Sequence, residues 1–202
     1  LGGIPAARAR LRLWREDLYT LGEPRTDALA SAAEALAVGG DGVIQIAMAP
    51  DTRWEARAAK RLDQLTGIDR HESLISTLIR LPMDLVYEFW FSHPESDGAS
   101  APRRRHDMPL PTGHKAGQAC WRVEVRLCCW APQMQAAIAS LKPMVAAFYT
   151  AEGENRLRPE TVLWTRGFDR AIEKRLGPGR ASMVLSPGEL AQLVHLPLAS
   201  VG

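Results

Sequence analysis

Hydrophobic and polar positions change period along the chain, and each change marks an element. Within 8–19, polar and apolar residues alternate over Arg10–Trp14, which predicts a short strand. Thr26-Asp27 then opens a helix with Leu29, Ala32, Ala33 and Leu36 on one face, and Gly39-Gly40 ends it. Val43–Ala49 reads as a strand closed by Pro50. Asp51 or Thr52 is placed to cap the next helix, where Trp54, Ala58, Leu62 and Leu65 form a stripe and Gly67 a stop. Leu74, Leu78, Leu81 and Leu85 keep helical register in an insert over 72–91, divided by Pro82. Residues 92–118 are rich in Ser, Pro, Gly, Asp and Arg and read as a long loop.

The clearest strand is Cys120–Trp130. Trp121, Val123, Val125, Leu127 and Cys129 share one face, while Arg122, Glu124 and Arg126 share the other with Cys128 and Trp130. That alternation predicts an antiparallel sheet with one wet face. A helix follows over Met134–Thr150, with Met134, Ile138, Leu141, Val145 and Phe148 as its apolar stripe. Arg158–Trp164 is a further strand, and Gly167–Leu176 a short helix ended by Gly177-Pro178-Gly179. The chain thus contains two β-α-β-α runs, about 8–66 and 119–176. They predict one α+β domain over 1–202, a ferredoxin-like or split βαβ sheet with helices mainly on one face. The alternative is two small domains joined at 92–118.

Composition narrows the class. With 202 residues and 46% hydrophobic content, the chain can bury one sizeable core or two small ones. Its longest apolar stretches, Leu81–Phe91 and Val123–Ala131, are too short or too charged to cross a bilayer. A net charge of +2 gives no bulk argument for nucleic acid, which would need a clustered patch. Cys120, Cys128 and Cys129 are an odd set, and neighbours on a strand point to opposite faces, so a reducing, cytoplasmic setting is expected. The chain begins at Leu1 without a signal-peptide pattern and reads as a piece of something longer.

The sequence contains no phosphate-cradling G-x-x-x-x-G-K-[ST] loop, and Gly39-Gly40-Asp41-Gly42 leads into a strand rather than a helix. His106, His114, Cys120 and Cys128 lack metal-ligand spacing. No G-x-S-x-G elbow is present, and the carboxylates are scattered, so no catalytic, cofactor-binding or metal residue is assigned. Two basic groups stand out: Arg53, Arg57, Lys60 and Arg61 along one helix, and Arg103-Arg104-Arg105 in the long loop. Either could meet phosphates or an acidic partner, and either could be a solvated surface. Arg122, Glu124 and Arg126 could form a partner surface or cross-strand charge pairs.

The most specific feature lies in the C-terminal segment 182–202. Ser186 and Glu189 have the spacing of a capping box, with Pro187 at the first helical position. Leu190, Leu193 and Val194 follow, and Pro197 ends the helix. The run Leu185, Ser186, Glu189, Leu190, Ala191, Leu193, His195, Leu196, Pro197 resembles a segment just upstream of the P-loop domain in conjugation-type ATPases of bacterial type IV secretion systems. The element order from Gly42 onward is similar to that family's N-terminal region, including an Asn-x-Leu at Asn155-Arg156-Leu157. The resemblance implies a non-catalytic assembly domain of a secretion or DNA-transfer ATPase. It would contact scaffold proteins or neighbouring subunits, on the inner face of the membrane and without inserting into it. ATP and Mg would belong to an ATPase domain following Gly202. Two other readings remain: a nucleic-acid-binding domain using the basic helix and loop, and a small-molecule enzyme.

Overall fold

The computed structural model describes residues 4–23, 26–66, 110–180 and 182–194. The chain divides into two compact units, 1–52 with 119–202, and 53–118, so the second unit is inserted between two strands of the first. The predicted insert 72–91 and most of the predicted loop lie outside the described residues.

The first unit is built on β1 (Ala6–Leu13), β2 (Asp41–Pro50) and β3 (Trp121–Trp130). Strand β3 is central. Along one edge it pairs with β2 over its whole length, from Asp41↔Trp130 to Pro50↔Trp121. Along the other edge β1 pairs from Ala6↔Trp130 to Leu11↔Val125, and β5 (Met183–Leu185) takes over opposite Trp121–Val123. The outer side of β1 receives β4 (Leu157–Thr161). All pairs are antiparallel and the order is β2-β3-β1-β4, as in a ferredoxin-like split βαβ arrangement. The α+β class read from the alternation is the one observed.

Helices α1 (Ala28–Gly39) and α4 (Met134–Ala147) cover one face of this sheet. The Asp27 carboxylate accepts from the Ala30 N–H at 2.9 Å and starts α1. Gly40, at φ 109°, stops it with its N–H on the Leu36 carbonyl. Ala7, Ala9, Leu11 and Leu13 of β1 and Val123, Val125, Leu127 and Cys129 of β3 meet these helices in one core. Phe148, in the 3-10 turn after α4, is fully buried there.

The helical stripe of α4 is rotated from its predicted register. Ala137, Leu141, Met144 and Val145 are buried, whereas Met134 and Ile138 are exposed. The small Ala137 lets the helix lie close to the sheet, and Met144 fills the space beside Cys129, with their sulfurs 3.1 Å apart. Period alone could not choose between two apolar stripes that share Leu141, Val145 and Phe148.

The opposite sheet face departs further from expectation. It was predicted to be wet, yet α5 (Thr165–Glu173) lies across it. Phe168 packs on Ala6 and Cys128, flanked by Val43, Trp130, Val162 and Ile172. Glu124 and Arg126 are only 2% exposed beneath this cover. The sequence predicts a short helix over Gly167–Leu176, but not which sheet face it covers; the observed helix is Thr165–Glu173.

In the second unit, α2 (Trp54–Thr66) carries the predicted stripe, with Trp54 and Ala58 buried. The predicted loop is helical over its last part, as α3 (Leu110–Ala116). The indole Nε1 of Trp54 donates to the Lys115 carbonyl at 3.0 Å. The last helix, α6 (Pro187–Leu193), returns to the first unit and adds Leu190 and Leu193 to its core.

Candidate functional site

Beneath α5 the alternation of β1 and β3 brings arginines and a carboxylate together. Arg10 Nε donates to Glu124 Oε1 at 2.6 Å, and Glu124 Oε2 accepts from Arg126 Nη2 at 2.8 Å and from Gly179 N–H at 2.8 Å. Arg126 also donates to Gln45 Oε1 at 2.7 Å and to the carbonyls of Leu176 and Gly177, both at 2.8 Å. Its positive charge therefore sits at the C-terminal end of α5, where helix carbonyls favour a cation. Arg8 and Asp169 form a two-pronged pair at 2.6 and 2.8 Å, fixing α5 at its middle.

This network holds the fold together rather than opening a cleft. Burial pushes the Glu124 carboxyl up, but the Arg126 hydrogen bond, the Gly179 N–H and the charges of Arg10 and Arg126 outweigh it, so its pKa lies below the ordinary value. A depressed carboxyl contributes stability above its unfolded pKa and loses it as pH falls through the folded one. Stability is therefore expected to decline as pH drops below about 4. Urea midpoints measured against pH check this, with Glu124→Gln flattening the acid limb.

Neither Cys128 nor Cys129 is an activated nucleophile. Burial raises the Cys128 thiol, with Arg8 opposing and Asp169 adding to the rise, and burial pushes Cys129 to about 11. At neutral pH both are held as thiols, which are poor nucleophiles. Among the described residues no group of His, Cys, Asp and Glu is arranged to hold a metal ion, and no helix is long and apolar enough to cross a membrane.

The predicted interaction residues differ in exposure and engagement. Arg53, in the turn before α2, and Arg57 and Lys60 on α2 are exposed and Arg61 is half-buried, with Arg57 over the Trp54 ring. Arg103, Arg104 and Arg105 lie outside the described residues. Arg122 is exposed, but Glu124 and Arg126 are engaged within the chain, so the proposed 122–126 partner surface reduces to Arg122. Of the two readings of that strand face, intramolecular charge pairing is the one realised.

In the family-like segment, Leu185 is buried in β5 and Ser186 is the N-cap of α6. Both halves of the capping box form: Ser186 Oγ accepts from Glu189 N–H at 3.3 Å, and Glu189 Oε2 accepts from Ser186 N–H at 2.7 Å. Glu189 Oε1 also accepts from the Leu21 N–H at 2.7 Å. Leu190 and Leu193 are core residues and Ala191 is exposed. His195, Leu196 and Pro197 lie outside the described residues.

Two surfaces were not singled out from the sequence. The first is the outer side of the α1–α4 layer. Its two helices, of 12 and 14 residues, carry one charge each, Glu34 and Lys142. Val38 is 91% exposed, and Ala33, Ala37, Ala136, Ala139, Met134 and Ile138 are exposed on the same two helices. The second is a cluster of arginines about Trp14, where β1 ends against β4. Arg156 and Arg158 place their guanidiniums 4.8 and 5.2 Å from the Trp14 ring centre. Apolar residues beyond one core stripe signalled the first; only the fold could assemble the second from positions so far apart in the chain.

Comparison with known proteins gives no match to any family model, curated protein or solved structure. The functional reading therefore rests on the residues themselves.

Proposed function

We propose that this chain is a non-catalytic assembly and docking domain, and that it belongs to a secretion or conjugative DNA-transfer ATPase of the type IV kind. The observation that carries the docking role is the nearly uncharged outer side of α1 and α4. Helices bounding a soluble domain ordinarily expose a charged face, and an apolar face of this kind is a partner surface. Scaffold proteins at the inner face of the membrane, or neighbouring copies of the chain, are the partners that the family resemblance suggests. The polar residues of the family-like segment serve capping and packing, which suits a domain without chemistry of its own. ATP and Mg would act elsewhere in such a protein.

The test is a double charge insertion, Val38→Glu with Ile138→Glu, on residues exposed enough to leave the core intact. The unaltered chain is expected to self-associate or to bind purified inner-membrane scaffold proteins of a secretion system, as read by sedimentation and by direct titration. The double variant is expected to keep its melting transition and lose the association. A chain that stays monomeric at its highest soluble concentration, and engages no such scaffold component, overturns the reading.

A further inference from the structure

The arginine cluster at Trp14 is a second surface, independent of the helix layer. Its framework is hydrogen-bonded. Trp14 N–H donates to the Arg156 carbonyl at 2.8 Å, which seats the end of β1 on the start of β4. Behind it Asn155, only 2% exposed, ties the following turn down: its Oδ1 accepts from Arg15 N–H at 2.8 Å and Arg156 N–H at 3.0 Å. The Asn155 amide nitrogen donates to the carbonyls of Glu16 and Tyr19 at 3.1 and 3.3 Å. Asn155 of the Asn-x-Leu noted in the sequence thus ties the turn after Trp14 to the residue that precedes β4.

Charge is concentrated on this framework without being neutralised. Arg12 stands directly opposite Arg158 in the β1–β4 register, an arrangement that repels. Arg12 finds Glu160 at 3.0 Å, but Arg156 and Arg158 meet no carboxylate among the described residues, only the face of Trp14. Both are exposed, and Trp14 is itself 53% exposed. Arg156 directly precedes β4 and Arg158 lies in it, so along extended chain the two are spaced by about 7 Å. They offer successive guanidinium forks beside a half-exposed indole.

We propose that this cluster binds single-stranded nucleic acid, with Arg156 and Arg158 on phosphates and the Trp14–arginine stack receiving a base. Guanidinium forks match phosphate oxygens, and flat guanidinium and indole surfaces accept bases of any sequence. An acidic polypeptide would use the charge but would leave the aromatic surface without a role. The site differs from the basic helix Arg53–Arg61 and from Arg103–Arg105, and it does not involve the helix layer assigned to docking.

The experiment uses the full chain, a labelled oligothymidylate, and fluorescence anisotropy over a salt series. Binding is expected at low salt, with affinity falling as salt rises. The variant Arg156→Ser/Arg158→Ser should bind about tenfold more weakly and reduce the log–log salt slope by about 1.4, the loss of two single-strand phosphate contacts. Trp14→Leu should weaken binding by about tenfold with little change of slope, because it removes stacking rather than charge. Neutralising Arg53, Arg57 and Lys60 should change little. Circular dichroism melting confirms that each variant is folded. Several results overturn the proposal: no binding at low salt, an unchanged slope in the double-serine variant, or loss of binding in the α2 variant alone. So does displacement by polyglutamate at lower charge equivalents than by unlabelled oligothymidylate, which would mark an acidic-polypeptide surface. Equal binding of an abasic strand, with Trp14→Leu silent, would mark a general anion patch and count equally against it.

Discussion

Replacing Arg126 with methionine is expected to destabilise the chain by about 3–5 kcal/mol, the range for removing one member of a buried ion pair. The size follows from what is left behind. Glu124 keeps Arg10 and the Gly179 N–H but loses its buried partner, and the carbonyls of Leu176 and Gly177 lose their donor. The segment after α5 is then released from the sheet, and Phe168 loses part of its support. Against a total stability of about 5–15 kcal/mol, such a loss should be plain in urea denaturation. The control is the double change Glu124→Gln/Arg126→Met, which removes the stranded charge. It should cost less than the sum of the single changes. A single-variant loss under about 1 kcal/mol would mean that solvent reaches the pair and screens it.

The second large effect is expected at Glu189. One carboxylate accepts from the N–H groups of Ser186 and Leu21, each at 2.7 Å, and thereby fastens α6 to the segment after β1. Glu189→Ala leaves both donors buried without that acceptor, at about 1–3 kcal/mol each, so a loss of about 3–5 kcal/mol is expected. Glu189→Gln keeps the shape and one good acceptor, so it should cost about 1–2 kcal/mol. Amide hydrogen exchange separates this local mechanism from general weakening: the Leu21 and Ser186 amides should lose protection beyond that of β3. If the alanine variant melts with the parent, and the Leu21 amide stays protected, another group must satisfy these donors.

Ser186, Glu189, Leu190 and Leu193 have complete structural employment in cap and core. A segment that must place a capped helix after an edge strand would need much the same residues in any protein that shares the arrangement. The resemblance is thus one of architecture at those positions, and the docking role draws its weight from the exposed helix layer.

Several features were determined by the sequence itself because they depend on neighbours close along the chain. The alternation of β3 required a strand, Gly40 ended α1, and Ser186-Pro187-Gly188-Glu189 made its own capping box. Backbone preference and a period of two or 3.6 act within a few residues, so no tertiary information was needed. The tertiary structure alone decided which stripe of α4 is buried and what covers the second sheet face. It also alone decided that Trp14 meets Arg156 and Arg158. Each of these depends on packing between segments distant in sequence. A buried Glu124–Arg126 pair and a solvated one have the same local pattern. Which apolar positions of α1 and α4 stay exposed was equally a matter of tertiary packing.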